Sequence, residues 1–353
     1  MILKDGVTSS NNKVSREARL SSEITRDVHQ SLVDRLAAYE DLINLEVGDT
    51  GLHRAKALER EFDLRQLYIK YEGDNPTGTQ KDRIAFAQVY DALRRSYHTI
   101  SVATCGNYGV AVALAAQLAG LKCIVFIPES YHTDRVEEMQ ELGAEIQRFP
   151  GSYEDVVNES IKESVQNDWY DANPGGSNTP IQITAYSQIA HEIVSDLGDA
   201  PKYCAAPVSN GTLFAGIYRG FVSLHKRGKT SRIPKMIAAS STNQNPIISS
   251  FISGLTECED LDKEVIKETV FNEPLINWHS FDGNEALDAI YKSKGSAFHV
   301  SDSKLKKMKS LLAKIESLKI LPASTAGLIG LLELHSKENL EADRYVTVLT
   351  AKD

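Results

Sequence analysis

The chain has no CxxC pair, no HExxH motif and no apolar run approaching the roughly 20 residues of a helical membrane span. Its four cysteines, Cys105, Cys123, Cys204 and Cys258, are scattered, which argues against a disulfide framework and fits reduced thiols in the cytosol. Nine histidines occur without paired metal-ligand spacing, so no metal site is expected. Long Lys/Arg runs are missing too. With a formal net charge of -9, the chain is not expected to bind nucleic acid. The one basic cluster, His225-Lys226-Arg227-Gly228-Lys229, reads as a solvated helix end. The polar N-terminus shows no signal-peptide pattern, so a cytoplasmic protein without membrane contact is expected. No internal repeat or low-complexity tract appears. What is present is the balance of a soluble globular protein, 42% hydrophobic and 25% charged, and 353 residues suffice for two domains or one large α/β unit.

From Leu67 onward strand and helix patterns alternate. Leu67–Tyr71 reads as a strand, followed by a helical pattern through Ile84, Phe86, Val89 and Leu93. Strands over 99–102, 122–127 and 144–149 are each followed by a helix, over 110–121, 134–142 and 153–165. A helix running to Ile193 leads to a second series: a strand over 203–208, a helix over 213–224 and a strand over 235–239. After a loop-rich stretch over 242–280 come helices over 301–318 and 325–335 and a terminal strand, Tyr345–Leu349. Such alternation predicts parallel sheets covered by helices on both faces. Two three-layer α/β domains are expected, with a ligand cleft between them at strand carboxyl ends. Residues 72–187 would form the smaller domain, and 46–71 with 188–353 the larger. Residues 1–45, weakly amphipathic through Leu32, Val33, Leu36, Ala37 and Leu42, read as an extension packed on the body or on a partner subunit.

Asn75-Pro76-Thr77-Gly78-Thr79-Gln80-Lys81-Asp82-Arg83 puts one lysine between a Pro/Gly turn and the first turn of a helix. Unpaired N–H groups and the positive dipole end there disfavour an ammonium, which favours the neutral amine a Schiff base needs. A lone lysine at such a place is ordinarily a solvated one, so its neighbours decide. A nucleotide-triphosphate loop is rejected: Thr79-Gln80 separate Gly78 from the lysine, and Asp82 would set a carboxylate against phosphates.

Three further segments lie at strand ends. Ala103-Thr104-Cys105-Gly106-Asn107-Tyr108-Gly109 offers hydroxyls, an amide and open N–H groups to a carboxylate or ring hydroxyl, although Gly and Asn also make plain turns. Pro207-Val208-Ser209-Asn210-Gly211-Thr212-Leu213 can cradle a phosphate at a helix N-terminus, and can equally be a simple cap. Val346-Thr347-Val348-Leu349-Thr350 ends a buried strand on a hydroxyl.

In this order, over residues 46 to 353, the segments resemble the fold-type II pyridoxal-phosphate enzymes, and within them threonine synthase and its relatives. By that resemblance Lys81 would form the Schiff base with pyridoxal 5'-phosphate and shuttle protons at the substrate α-carbon. Asn107 would bond the cofactor's ring hydroxyl, and Thr104, Cys105, Gly106 and Tyr108 would line the substrate side. Ser209, Asn210, Gly211, Thr212 and Leu213 would hold the phosphate, and Thr350 would face the pyridine nitrogen. The resemblance implies a homodimeric lyase for a small amino acid with a β or γ leaving group, first of all O-phosphohomoserine.

Departures from the pattern bear on the substrate. Leu321-Pro322-Ala323-Ser324-Thr325-Ala326 carries Leu321 where the family has Glu, Tyr108 replaces a small residue, and Asn173-Pro174-Gly175-Gly176-Ser177 lacks the family's arginine. The ending is shortened to Thr350-Ala351-Lys352-Asp353. The alternatives are therefore a β-replacement enzyme using O-phosphoserine or an O-acyl serine, a threonine or serine dehydratase, and an inactive cofactor-binding regulatory paralogue.

Overall fold

The computed structural model describes residues 13–104, 106–131 and 135–353. They divide into two compact units, one from residues up to Gly48 with Asn75–Ala185, the other from Asp49–Asp74 with Tyr186–Asp353.

The first unit opens with helices α1 (Arg16–Arg26) and α2 (Leu32–Glu46), each started by a serine whose side chain accepts an N–H of the first turn. This segment, expected as an extension, packs into the unit: Tyr39 stacks on Phe86 and its hydroxyl donates to the Ala115 carbonyl. Helix α4 (Lys81–Arg94) and helix α5 (Asn107–Ala119) cover a four-stranded parallel sheet of order β5-β4-β3-β6. Its strands are β3 (Thr99–Ala103), β4 (Lys122–Pro128), β5 (Glu145–Phe149) and β6 (Tyr170–Asp171). Helices α6 (Arg135–Glu141) and α7 (Tyr153–Asn167) make the crossovers on either side of β5. Helix α5 is apolar on every side and is buried nearly throughout, as a central helix must be.

The second unit holds a six-stranded sheet of order β1-β2-β10-β7-β8-β9, parallel except for the edge strand β1 (Leu52–Arg54). The others are β2 (Leu67–Tyr71), β7 (Tyr203–Pro207), β8 (Lys235–Ser241), β9 (Ser296–Val300) and β10 (Tyr345–Leu349). Short helix α3 (Lys56–Phe62) precedes β2, and α8 (Thr179–Leu197) contains the boundary between the units. Helices α9 (Thr212–Lys226), α10 (Pro246–Ile252), α11 (Gly283–Lys292), α12 (Asp302–Ile315) and α13 (Ala326–Glu338) complete it. One core joins Leu67, Ile69, Tyr203 and Leu349 from the sheet to Leu305, Leu312, Leu328 and Leu331 from α12 and α13. Helical cover over parallel strands buried on both faces is the α/β architecture that the alternation predicts. The stretch expected to be loop-rich contains α10 and two short 3₁₀ turns, and α11 and β9 follow it.

Candidate active site

In the first unit, β3 ends at Ala103 and α5 begins at Asn107, so Thr104 and Gly106 occupy the carboxyl edge of the sheet. Cys105 lies outside the described residues. Thr104 donates its N–H to the Phe126 carbonyl, and the Gly106 N–H reaches Thr104 Oγ1 at 3.4 Å. No acceptor among the described residues takes the N–H groups of Asn107 and Tyr108, which open α5. Lys81 is the first residue of α4, and its Nζ lies 5.2 Å from the centre of the Tyr108 ring. The structure thus brings Lys81, Asn107 and Tyr108 to one edge.

Two neighbours hold that lysine's turn. The Lys81 N–H is taken by Thr79 Oγ1 at 2.9 Å. Asp82, which is 0% exposed, accepts the Thr77 N–H at 2.8 Å and the Thr77 hydroxyl at 2.9 Å. Burial pushes the Asp82 carboxyl up to about 7 against the opposing pull of those bonds. Sequence patterning gives a carboxylate beside a lysine no such role. Tyr108, expected on the substrate side, is largely buried: its hydroxyl donates to the Ala172 carbonyl at 2.7 Å, and the Gln88 amide donates to it. Burial raises its phenol well above the ordinary value. The Tyr108 hydroxyl is thereby fixed by two bonds, while the ring lies beside Lys81.

Next along the same edge, β6 leads into the loop 173–177. Asn173 donates to Asp171 Oδ1 at 2.7 Å and accepts the Ala103 N–H at 2.7 Å, tying the two strand ends together. Burial raises the Asp171 carboxyl above its usual range, opposed by the bonds from Asn173.

In the second unit, Ser209–Leu213 leave β7 and start α9. The Val208 N–H is spent on the Ala239 carbonyl and the Ala215 N–H on Gly211, while no acceptor among the described residues takes the N–H groups of Ser209, Asn210, Gly211, Thr212 or Leu213. Gly211 has φ +100°, and a Cβ there would sit 2.5 Å from the Asp282 carbonyl oxygen, so only glycine fits. A run of open N–H groups with no Cβ at its bend, at the positive end of a helix, fits a phosphate. Side chains hold the loop from below: Asn245 Nδ2 donates to the Ser209 carbonyl, Asn277 Nδ2 to Asn210 Oδ1, and the Thr212 hydroxyl to Asp282 Oδ2. Neither asparagine carries a sequence signal beyond lying in an Asn-rich loop.

Thr350 stands just past β10, which pairs directly with β7, so it shares the edge from which the loop departs. Its Oγ1 lies 2.9 Å from Ser324 Oγ, and the Ala351 N–H donates to the same serine oxygen at 3.0 Å. Ser324 belongs to the Leu321–Ala326 segment, in a 3₁₀ turn before α13, and its bond to Thr350 was legible only once that turn and the end of β10 were placed. Among the described residues no group of three or more His, Cys, Asp or Glu is placed to hold a metal, and no helix is long and apolar enough to cross a membrane.

Comparisons with known proteins agree with this chemistry. The chain is 28% identical over 311 residues to a threonine synthase of Methanocaldococcus jannaschii, covering 88% of this chain and 75% of the relative. Among solved structures it is similar to maize serine racemase, with a TM-score of 0.74 at 17% identity over 91% of this chain and 93% of the other. It is also similar to threonine deaminase isoform 2 from Solanum lycopersicum, with a TM-score of 0.72 at 16% identity over 91% and 90% of the two chains. The family model described as pyridoxal-phosphate dependent enzyme matches residues 43–351, and the chain belongs to that family.

Proposed function

We propose that the chain is a lyase acting on a small amino acid with a leaving group on its β or γ carbon, and that it converts O-phosphohomoserine and water to threonine and phosphate. The observation that carries this reading is the similarity to threonine synthase over most of the chain, through segments that in this structure end on a lysine, an asparagine and an open amide loop. When bound, pyridoxal phosphate supplies an electron sink for negative charge at the substrate α-carbon. Lys81, the first residue of α4, would hold the cofactor through its amine and would move the proton at the substrate α-carbon. Asn107 would hold the ring hydroxyl, and the Thr104 hydroxyl with the open N–H groups of Asn107 and Tyr108 would receive the substrate carboxylate. Residues 209–213 take the cofactor phosphate. Thr350, steadied by Ser324, would offer a hydroxyl to the pyridine nitrogen. A hydroxyl holds that nitrogen protonated less well than a carboxylate would, so charge stays nearer the substrate and elimination and replacement are favoured. A cytoplasmic homodimer completes the proposal, and sedimentation tests the assembly.

A second reading rests on the 173–177 loop. Where a phosphorylated side chain would call for a cation, the loop's stem carries Asp171, whose Oδ2 would lie 2.8 Å from a Cβ on Gly176, and the Arg95 guanidinium that bonds Asn178 just past the loop is already paired with Asp91. That favours an unphosphorylated substrate, and with it a dehydratase or a β-replacement enzyme.

The purified protein should show the visible absorption band of bound pyridoxal phosphate, perturbed by its substrate. K81A should lose that band and more than about a thousandfold of turnover. O-phosphohomoserine should release phosphate and threonine together. Keto-acid formation from serine or threonine without threonine synthesis selects the second reading, and a colourless protein that takes up no cofactor defeats both.

A further inference from the structure

The ring of Tyr108 is tied to the helix that begins with Lys81. Gln88, two turns on from Lys81 in α4, donates its amide to the Tyr108 hydroxyl, and that hydroxyl donates to the Ala172 carbonyl at 2.7 Å. Gln88 is oriented in turn by Gln182, whose Nε2 donates to Gln88 Oε1 at 3.3 Å and to the Asn173 carbonyl at 3.0 Å. Turning the Gln88 amide round would set N–H groups against each other. Both glutamines are buried, and every bond in the chain is between neutral groups. Together they fix a ring whose centre lies 5.2 Å from Lys81 Nζ.

At that distance the negative face of an aromatic ring attracts an ammonium, and it offers a neutral amine far less. The helix end pulls the other way, since its positive dipole disfavours charge on Lys81. Its first N–H groups are already spent, however: Thr79 and Gln80 accept from Lys81, Asp82 and Arg83. Of the titratable groups around the pair, Asp82 on α4 is bonded to Thr77, with Lys13 acting on it, and Asp171 on β6 is bonded to Asn173. Tyr153 on α7 and Cys123 on β4 act, with Asp171, on the Tyr108 hydroxyl.

Resting on the reading of Lys81 as the residue that holds the cofactor and moves the α-proton, we propose that Tyr108 is a positioning residue whose ring holds the Lys81 amine whenever it carries a proton. In the proton step the α C–H bond breaks, an N–H bond forms at Nζ, and the electron pair left on carbon goes to the electron sink that the bound cofactor supplies. Favouring the protonated amine makes Lys81 a better acceptor in that step. It also makes the lysine a slower nucleophile toward an aldehyde, because less of it is neutral. Loss of the π face should therefore move two rates in opposite directions.

The first rate is uptake of pyridoxal phosphate by the apoprotein near pH ~7, read as the first-order growth of the visible band at saturating cofactor. The second is turnover of O-phosphohomoserine by the loaded enzyme, or of serine under the second reading. Y108F keeps the ring and should stay within about threefold of the wild type in both. The same Y108F chain made with pentafluorophenylalanine at that position keeps the shape and reverses the charge on the face. Relative to Y108F, it should take up cofactor about fivefold faster and turn over about fivefold more slowly. Y108L, of similar bulk without a π face, should repeat the opposed pattern. Any other pattern, whether both rates fall together or neither moves, overturns the role of Tyr108 while leaving the cofactor reading intact. A wild-type protein that takes up no pyridoxal phosphate overturns both.

Discussion

Asp82 shows how a single buried carboxylate can serve a neighbouring lysine and cost stability at the same time. It fixes the turn before Lys81 by accepting the Thr77 N–H and hydroxyl, yet burial lifts its carboxyl to about 7. An acid whose pKa is raised by folding holds its proton more tightly in the folded than in the unfolded state. Its contribution is therefore fully present below the unfolded value near pH ~4, and is lost as pH rises toward 7. D82N keeps an oxygen for Thr77 and cannot ionise. Urea unfolding of the two proteins should show D82N gaining on the wild type between those limits, by up to about 1.4 kcal/mol per pH unit. Parallel stability curves would rule out the buried titration. The place of Lys81 at the start of a helix was legible, because turn punctuation and helical spacing frame it on both sides. Asp82 was not, since whether a charged neighbour faces solvent or folds back on its own turn depends on burial that patterning does not reveal. The bonds that Gln88 and the Ala172 carbonyl, distant in sequence, make to the Tyr108 hydroxyl were not legible for the same reason.

Regular elements with several apolar positions were legible to within a few residues at their ends. The strands Leu67–Tyr71 and Tyr345–Leu349 match their expected limits, and α9 starts one residue before the position its periodicity suggests. The elements that escaped have physical reasons. Strand β6 has only two residues, β9 is a half-buried edge strand without alternation, and α11 begins without a side-chain cap. Close approach between elements is likewise invisible in one dimension. Gly327 in α13 lies against β7 so tightly that a Cβ would stand 2.7 Å from Ala206 Cα, a backbone atom with no freedom to move aside. G327A should cost about 1–3 kcal/mol by forcing the helix outward. Because Ser324, just before α13, bonds Thr350, the same shift should weaken cofactor retention, read as faster loss of the bound chromophore on dialysis. G330A meets side chains rather than backbone, Ala239 at 3.1 Å and Ile237 and Phe298 at 3.3 Å, and should be milder on both counts. Equal effects would show that the helix does not depend on that contact.

At the level of the chain, each unit is built from pieces far apart in sequence, and the second needs residues 49–74 to complete a sheet made otherwise from 186–353. Backbone pairing of β2 with β10 makes one tie. Another is ionic: Lys70 on β2 is 0% exposed, its Nζ lies 2.6 Å from Glu192 Oε2 on α8, and it also donates to the Thr50 carbonyl. Lysine in a strand buried on both faces contradicts the apolar pattern expected of such strands, so its partner had to come from the fold. A buried pair adds little over apolar side chains of the same shape, but removing one member leaves the other charged in a place built for two. K70M should accordingly lower the unfolding free energy by about 3 kcal/mol, and K70M/E192L should recover most of that loss. Chemical denaturation of the single and double variants measures the coupling directly. If K70M alone unfolds at the wild-type midpoint, or the double variant is worse by the sum of the singles, then the sheet is joined to α8 by packing and strand pairing, and Lys70 is a passenger in its own core.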